Sequence, residues 1–341
     1  MTVHDRRAFI IGGTGQIGRA TAARLAEAGY AVTLGQRRPR AGAAESGGVV
    51  SVQVDRADTD ALLNALDGHD VVVDTVAFTP LHGEQLARLA GRVGSLVVIS
   101  TGAVYQAPGL PVPIPESWPT VERDAHDYPA GKAALERRLL ATPGLPVSIL
   151  RTGVLHGPHG KSLDHWSFIK RALDKRPHVV LAQDGRSRFP TSAVANVAEL
   201  IRLCARRPAA RVLNIADDPL TVAEIGARIF AVMGHEAEIV TFAGPSRPDG
   251  LGFHPWNVPE PIVFGMDRAR AELGYRPAVS YDDALRQDIE WAAAAVAEAE
   301  AGGGGWQDVF PDLVARHGRD VWFPYAAEDA FVTGAQAGVT R

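Results

Sequence analysis

Six short apolar runs, at residues 8–11, 31–34, 49–54, 71–74, 96–99 and 147–150, punctuate the first half of the chain, and they constrain its fold more than any other feature. Each is rich in Val, Ile or Leu and has the length of a strand. Helix-patterned segments lie between them, at 16–28 (closed by Gly29), 58–66, 83–93 and 130–140. Continuous rather than alternating apolar strands need cover on both faces, and their regular interleaving with helices predicts a parallel sheet. The expected fold class is therefore α/β, a Rossmann-type doubly wound parallel sheet.

The pattern loosens after residue 155. Strands at 179–182 and 212–215 are interspersed with helices near 165–175, 193–205 and 221–233. A Pro/Gly-rich stretch at 244–261 carries Phe253, Trp256 and Val258, which predicts a long, partly buried loop. A last amphipathic helix at 281–299 runs into four glycines, Gly302 to Gly305. Beyond them Trp306, Phe310, Trp322, Phe323 and Tyr325 are too many aromatics for a solvated tail. The expected organisation is a dinucleotide-binding domain at 1–155 to which 190–220 return. A smaller carboxy-terminal substrate lobe is expected from 156–189 and 221–300. A tail at 301–341 is expected to dock on the body or on a partner subunit.

The 341 residues carry a net charge of −4, so no basic carpet for nucleic acid is indicated. One cysteine, Cys204, excludes an intramolecular disulfide framework and a Cys-rich zinc site. The first seven residues carry charge with no apolar core before Phe9, so no signal peptide is expected, and no apolar run approaches the ~20 residues of a membrane span. A cytoplasmic protein with a small-molecule substrate is the expectation.

Gly12, Gly15 and Gly18 space the turn Gly12-Gly13-Thr14-Gly15-Gln16-Ile17-Gly18 between the first strand and the first helix. Such a turn brings backbone close to a pyrophosphate and aims helix N–H groups at it, so Gly12, Thr14, Gly15, Gln16, Ile17 and Gly18 are the expected cofactor seat. The second strand then ends in Gln36-Arg37-Arg38, with no carboxylate to accept hydrogen bonds from an adenosine ribose. Guanidiniums there attract a 2′-phosphate, which favours NADP over NAD with Arg37 as the contact. Asp55 and Arg56, after the third strand, are placed to meet the adenine edge.

Tyr128 and Lys132 stand one helical turn apart. The chain has only four lysines, at 132, 161, 170 and 175, which makes the pairing hard to reach by accident. An ammonium beside a phenol lowers the phenol's pKa toward the range of an acid–base catalyst. Ser100 and Thr101 end the fifth strand, where ligands sit in sheets of this type, and supply a hydroxyl for a carbonyl oxygen.

With these motifs in order, the chain resembles the extended short-chain dehydrogenase/reductase superfamily, the NAD(P)-dependent epimerase/dehydratase group. Further matches are Asp70–Asp74 before Ala77, Ile99-Ser100-Thr101 before Tyr105, Leu150-Arg151-Thr152-Gly153-Val154, Arg188-Phe189-Pro190 leading to Asn196, and Asp267 before Leu273-Gly274-Tyr275. The resemblance covers about residues 8–297. It implies Thr101, Tyr128 and Lys132 as the catalytic set, Lys132 and Ala77 at the cofactor, and a homodimer formed through the helices at 83–93 and 128–140.

Departures narrow the activity. Family dehydratases place Asp-Glu after the catalytic Thr, where this chain has Gly102-Ala103, which excludes 4,6-dehydration. Gly153 replaces the Asn that nucleotide-sugar enzymes use near phosphates. Candidate substrate contacts are aromatic or imidazole: Phe78, His82, Tyr105, Trp166 and Trp256. They suit a less phosphorylated, more apolar substrate. His156, His159 and His165 cluster, but Gly157, Pro158 and Gly160 break any helix that would align them and no acid is well spaced nearby, so no metal site is expected. The expected activity is NADP-dependent reduction of a carbonyl (or oxidation of an alcohol) on a small metabolite. The alternatives are an epimerase acting on a sugar or sugar nucleotide, and a non-catalytic cofactor-sensing or RNA-binding member.

Overall fold

A computed structural model of the chain describes residues 6–37, 48–122, 127–319 and 321–339. In chain order the first half holds β1 (Arg6–Ile11), α1 (Gln16–Glu27), β2 (Tyr30–Gln36), β3 (Val49–Gln53), α2 (Thr59–Leu66), β4 (Val71–Asp74), α3 (Pro80–Ala87), β5 (Ser95–Thr101), α4 (Tyr128–Leu140) and β6 (Val147–Thr152). The second half holds β7 (Val154–His156), α5 (Trp166–Leu173), β8 (His178–Leu181), β9 (Thr191–Ala193), α6 (Val194–Arg206), β10 (Arg211–Ile215), α7 (Val222–Val232), β11 (Glu238–Thr241) and α8 (Asp267–Leu273). It ends with α9 (Tyr281–Ala301), α10 (Trp306–Val309), α11 (Pro311–His317) and α12 (Tyr325–Val339).

Seven parallel strands form one sheet in the order β10-β6-β5-β4-β1-β2-β3. Every residue of β4 and β6 is buried, as strands covered on both faces must be. One side of the cover joins Leu62, Leu63 and Leu66 of α2 and Leu135 and Leu139 of α4 to Phe9, Val72, Val98 and Ile149 of the sheet. Helices α1 and α6 pack on each other, as do α3 and α4. The strand order reverses between β1 and β4, so the carboxyl ends of β1, β2, β4 and β5 frame the crevice where such sheets bind ligands.

The chain divides into two compact units. The first contains residues 1–153, 194–216 and 264–278, and the second 154–193, 217–263 and 279–341. Residues 264–278 lie with the sheet because α8 packs on β10 and α6, and the tail is part of the second unit.

The second unit has its own apolar core and two small parallel ribbons, β7-β9 and β8-β11. Trp306, Phe310, Leu313 and Trp322 from beyond the glycine run are buried in that core beside Trp166, Phe168 and Trp256. The tail is pinned by polar contacts as well. Arg171 of α5 meets Glu328 of α12 at 2.7 Å with both side chains buried, and the Tyr325 hydroxyl donates to Asp174 at 2.6 Å. Among the described residues no helix is long and apolar enough to cross a membrane.

Candidate active site

The turn after β1 is built so that only backbone fills it. Gly12 has φ +80°, and a Cβ there would lie 2.4 Å from Thr75 Oγ1. At Gly18 a Cβ would lie 2.4 Å from the Gly12 carbonyl oxygen and 2.7 Å from Gly13 Cα, so its absence lets α1 settle onto the turn. Gly15 is the helix N-cap, no side chain caps it, and the first turn contains no acid. Thr14 and Gly15 are exposed. An uncapped, exposed helix start on a tightly closed glycine turn suits a pyrophosphate.

Parallel pairing of β1 with β2 sets Ile11 beside Gly35, and the Gly12 N–H donates to the Gly35 carbonyl at 3.3 Å. The exposed Arg37 therefore follows the strand that flanks the glycine turn, and Gln53 donates to its carbonyl at 3.2 Å. Arg38 lies outside the described residues. Asp55 is exposed and folds back to accept from the Ala57 N–H at 2.9 Å.

Arg56 departs from expectation. Its guanidinium is held by Asp74 of β4, at 2.6 Å and 3.0 Å, rather than offered to an adenine. Asp74 is fully buried and also accepts from the Val76 N–H at 2.9 Å. Asp74 thus ties the segment after β3 to the end of β4. Ala77, next in line, is fully buried.

Thr101 closes β5 and Tyr128 opens α4, with Asp127 at the N-cap and Pro129 in the first turn. The structure brings their hydroxyls together. Burial raises the Tyr128 pKa above its ordinary value, while the hydrogen bond with Thr101 pulls it down. Lys132 follows one turn along, 1% exposed, and its Nζ donates to the Ile99 carbonyl at 2.7 Å. Burial lowers its pKa to about 8, against Asp74 and Glu136, which raise it. Lys132, expected together with a bound nicotinamide to lower the Tyr128 pKa, is not among the groups that shift it here, where burial outweighs Thr101. At neutral pH Tyr128 keeps its proton, which is the form a proton donor requires.

Phe78 completes the cluster. Its ring lies 4.6 Å from Lys132 Nζ and 6.2 Å, centroid to centroid, from the Tyr128 ring. His82 accepts the Phe78 N–H at Nδ1, 2.9 Å away. Burial and the nearby Arg56 hold the His82 pKa down to about 4, so that nitrogen is an acceptor throughout the physiological range. His82 therefore acts as a prop for Phe78.

Three other expected substrate contacts lie elsewhere. The Tyr105 hydroxyl donates to Asn214 at 2.5 Å, and its buried ring lies between Arg151, 4.7 Å away, and Phe264, 5.8 Å away. Trp166 and Trp256 are 1% and 2% exposed and belong to the core of the second unit. Their rings are taken up by packing, and these three are corrected to structural roles.

Sequence reasoning missed the support beneath the cluster. Glu136, one turn beyond Lys132, takes a bidentate grip from Arg151 (2.6 and 3.1 Å) and a hydrogen bond from Ser100 at 2.5 Å. The helical spacing of Lys132 and Glu136 was the available signal. Phe264 occupies the space a side chain at 102 would need, with Cζ 1.9 Å from the position of an added Cβ. No sequence signal pointed to it.

The histidines cluster differently from the sequence pattern. His156 Nδ1 is 2.8 Å from Asp288 and its Nε2 2.7 Å from Asp217. His165 Nδ1 reaches the same Asp288 oxygen at 2.9 Å, and its Nε2 meets the Tyr281 hydroxyl at 2.9 Å. His159 instead lies 5.9 Å from the Trp291 ring. The acids come from far along the chain. His156, His165 and Asp288 are close enough to share an ion. Their ring nitrogens and carboxylate oxygens already stand at hydrogen-bond distance, with a proton between each pair.

Residues 12–164 match the NAD(P)H-binding family model. The chain is 26% identical over 326 residues to the 4-hydroxy-2-methyl-3-oxo-4-farnesyl-3,4-dihydroquinoline-1-oxide ketoreductase of Stigmatella aurantiaca, covering 82% of this chain and 96% of that protein. Among solved structures, the UDP-N-acetylglucosamine 4-epimerase of Bacillus cereus superposes with a TM-score of 0.67 at 15% identity, covering 84% of this chain and 99% of that one. The dTDP-glucose 4,6-dehydratase of Bacillus anthracis, solved in complex with NAD, superposes with a TM-score of 0.66 at 17% identity, covering 85% and 97%.

Proposed function

We propose that the chain is a member of the extended short-chain dehydrogenase/reductase superfamily, with an NAD(P)H-binding first half, and that it is an NADP-dependent reductase acting on a carbonyl of a small metabolite. The observation that carries the reading is the contact between the Thr101 and Tyr128 hydroxyls at the end of β5, with Lys132 one turn behind.

The turn fits a dinucleotide, since glycine at 12 and 18 lets it close tightly on Thr75 and on its own backbone and leaves the uncapped start of α1 to face the pyrophosphate. Gly12 to Gly18 would hold the pyrophosphate, Arg37 the 2′-phosphate, and Lys132 the ribose hydroxyls of the nicotinamide half. The bound nicotinamide supplies the hydride. Tyr128 gives its phenolic proton to the carbonyl oxygen, and Thr101 holds that oxygen and orients the phenol. With its ammonium one turn behind Tyr128, Lys132 would stabilise the phenolate that proton transfer leaves.

Two observations favour reduction over elimination. Gly102 and Ala103 offer no acid beside Thr101, and Phe264 fills the space an acid at 102 would enter. The Stigmatella relative is a ketoreductase. Incubation with NADPH and a panel of ketones is expected to consume NADPH, followed by nicotinamide absorbance. Arg37→Glu is expected to weaken NADPH binding by roughly 10–100-fold, as loss of a charged hydrogen bond would, and to leave NADH nearly unaffected. Tighter binding of NADH than NADPH by the unmodified protein would overturn the cofactor assignment. Turnover with no net change in absorbance would favour the epimerase.

A further inference from the structure

We infer that Phe78 is the specificity-determining residue of this site, and that it selects a carbonyl carried on a flat, uncharged ring system. The inference rests on the reading of Tyr128 as the proton donor, because it concerns what lies beside that hydroxyl.

Phenylalanine is ordinarily an interior residue, yet Phe78 is 43% exposed, and the neighbouring Tyr128 is 51% exposed. The two rings stand 6.2 Å apart at 46° to one another and form the open apolar surface next to the Tyr128 hydroxyl. Phe78 is fixed from behind. Its N–H is held by His82 Nδ1, the Thr79 side chain caps α3 immediately afterwards, and Pro80 starts that helix. Lys132 Nζ sits 4.6 Å from the ring centroid. A ring held in place before the ligand arrives loses little freedom on binding, which is what makes an aromatic shelf effective.

Charge around the cluster points the same way. The charged groups that bear on Lys132 are Asp74, Glu136 and Arg56. Asp74 and Arg56 are paired with each other, and Glu136 is paired with Arg151. None of these is left to meet a phosphate or carboxylate on a substrate. Among the described residues, the surface that Phe78 and Tyr128 present beside the exposed Asp127 is aromatic, which rewards a planar ring by stacking. A ketone fused to or conjugated with an aromatic ring therefore lies with its plane on Phe78 and its oxygen toward Thr101 and Tyr128.

The test compares 1-tetralone with 1-decalone, which carry a carbonyl at the same position of a bicyclic skeleton with the neighbouring ring aromatic and with it saturated. Binding to the NADPH-loaded protein is read by saturation-transfer NMR competition, alongside KM and kcat. The unmodified protein is expected to prefer 1-tetralone by about 10-fold or more, the size of one good aromatic contact. Phe78→Leu should erase that preference through KM while NADPH affinity stays level, and Phe78→Tyr should restore it. Equal preference in the unmodified protein and Phe78→Leu would overturn the inference, as would the absence of any preference. Loss of NADPH binding in Phe78→Leu would also overturn it, by making the ring a cofactor contact. A ring preference in binding with no turnover of either ketone would uphold the shelf and count against the reductase reading.

Discussion

Replacing His156 with glutamine removes the cation that two buried carboxylates share. Burial alone would lower the His156 pKa, but Asp288 and Asp217 outweigh it and raise the pKa to about 10 from the ordinary 6.5. The ring and both acids are almost wholly buried, and the contacts are 2.7 and 2.8 Å. Removing one member of such a set leaves uncompensated charge inside the protein, at a cost of about 3–5 kcal/mol. At roughly 2–4 °C per kcal/mol, the melting temperature should fall by about 6–20 °C.

The pH dependence follows from the sign of the shift. A base whose folded pKa is raised contributes stability that is fully present below its unfolded value, about 6.5, and is lost as pH rises through about 10. Thermal melts followed by circular dichroism at pH 6, 8 and 10 should therefore show the gap between the unmodified protein and His156→Gln at its widest at pH 6 and mostly closed by pH 10. A gap that stays constant across this range would refute the buried imidazolium.

Two further substitutions test other parts of the structure. Glu328→Gln breaks the buried contact with Arg171 and should destabilise the protein by about 3–5 kcal/mol in denaturant melts, with faster proteolysis of the carboxy-terminal segment; an unchanged midpoint would mean the tail docks without it. Gly18→Ala forces a methyl group against the Gly12 carbonyl and should weaken NADPH binding about 10–100-fold by titration, the equivalent of 1–3 kcal/mol of overpacking, and unchanged affinity would show that the turn yields freely.

The sheet was legible because strands buried on both faces need unbroken apolar runs, and the six runs at 8–150 all became strands. The three-residue strands β7 and β9 are too short to show a period. Helix α3 starts at Pro80, ahead of the expected 83, because Thr79 caps it and Pro80 fits its first turn. Tyr128 and Lys132 were legible as a pair because one helix carries both. Arg56 with Asp74, and His156 with Asp217 and Asp288, were not, because each pair is made by tertiary folding between residues 18 to 132 positions apart. The same holds for exposure. Phe78 faces outward while Trp166 and Trp256 are sealed in a core, and nothing local to these aromatics distinguishes them.

Tyr128→Phe tests the central claim most directly, because it deletes one oxygen and leaves the ring, the helix start and the glycine turn in place. General acid catalysis is typically worth about 10²–10⁴-fold, so single-turnover reduction of a ketone by NADPH should slow by that factor while NADPH affinity stays the same. Tyr128→Phe protein that binds NADPH normally and reduces the ketone at the full rate would contradict the assignment of Tyr128 as the proton donor.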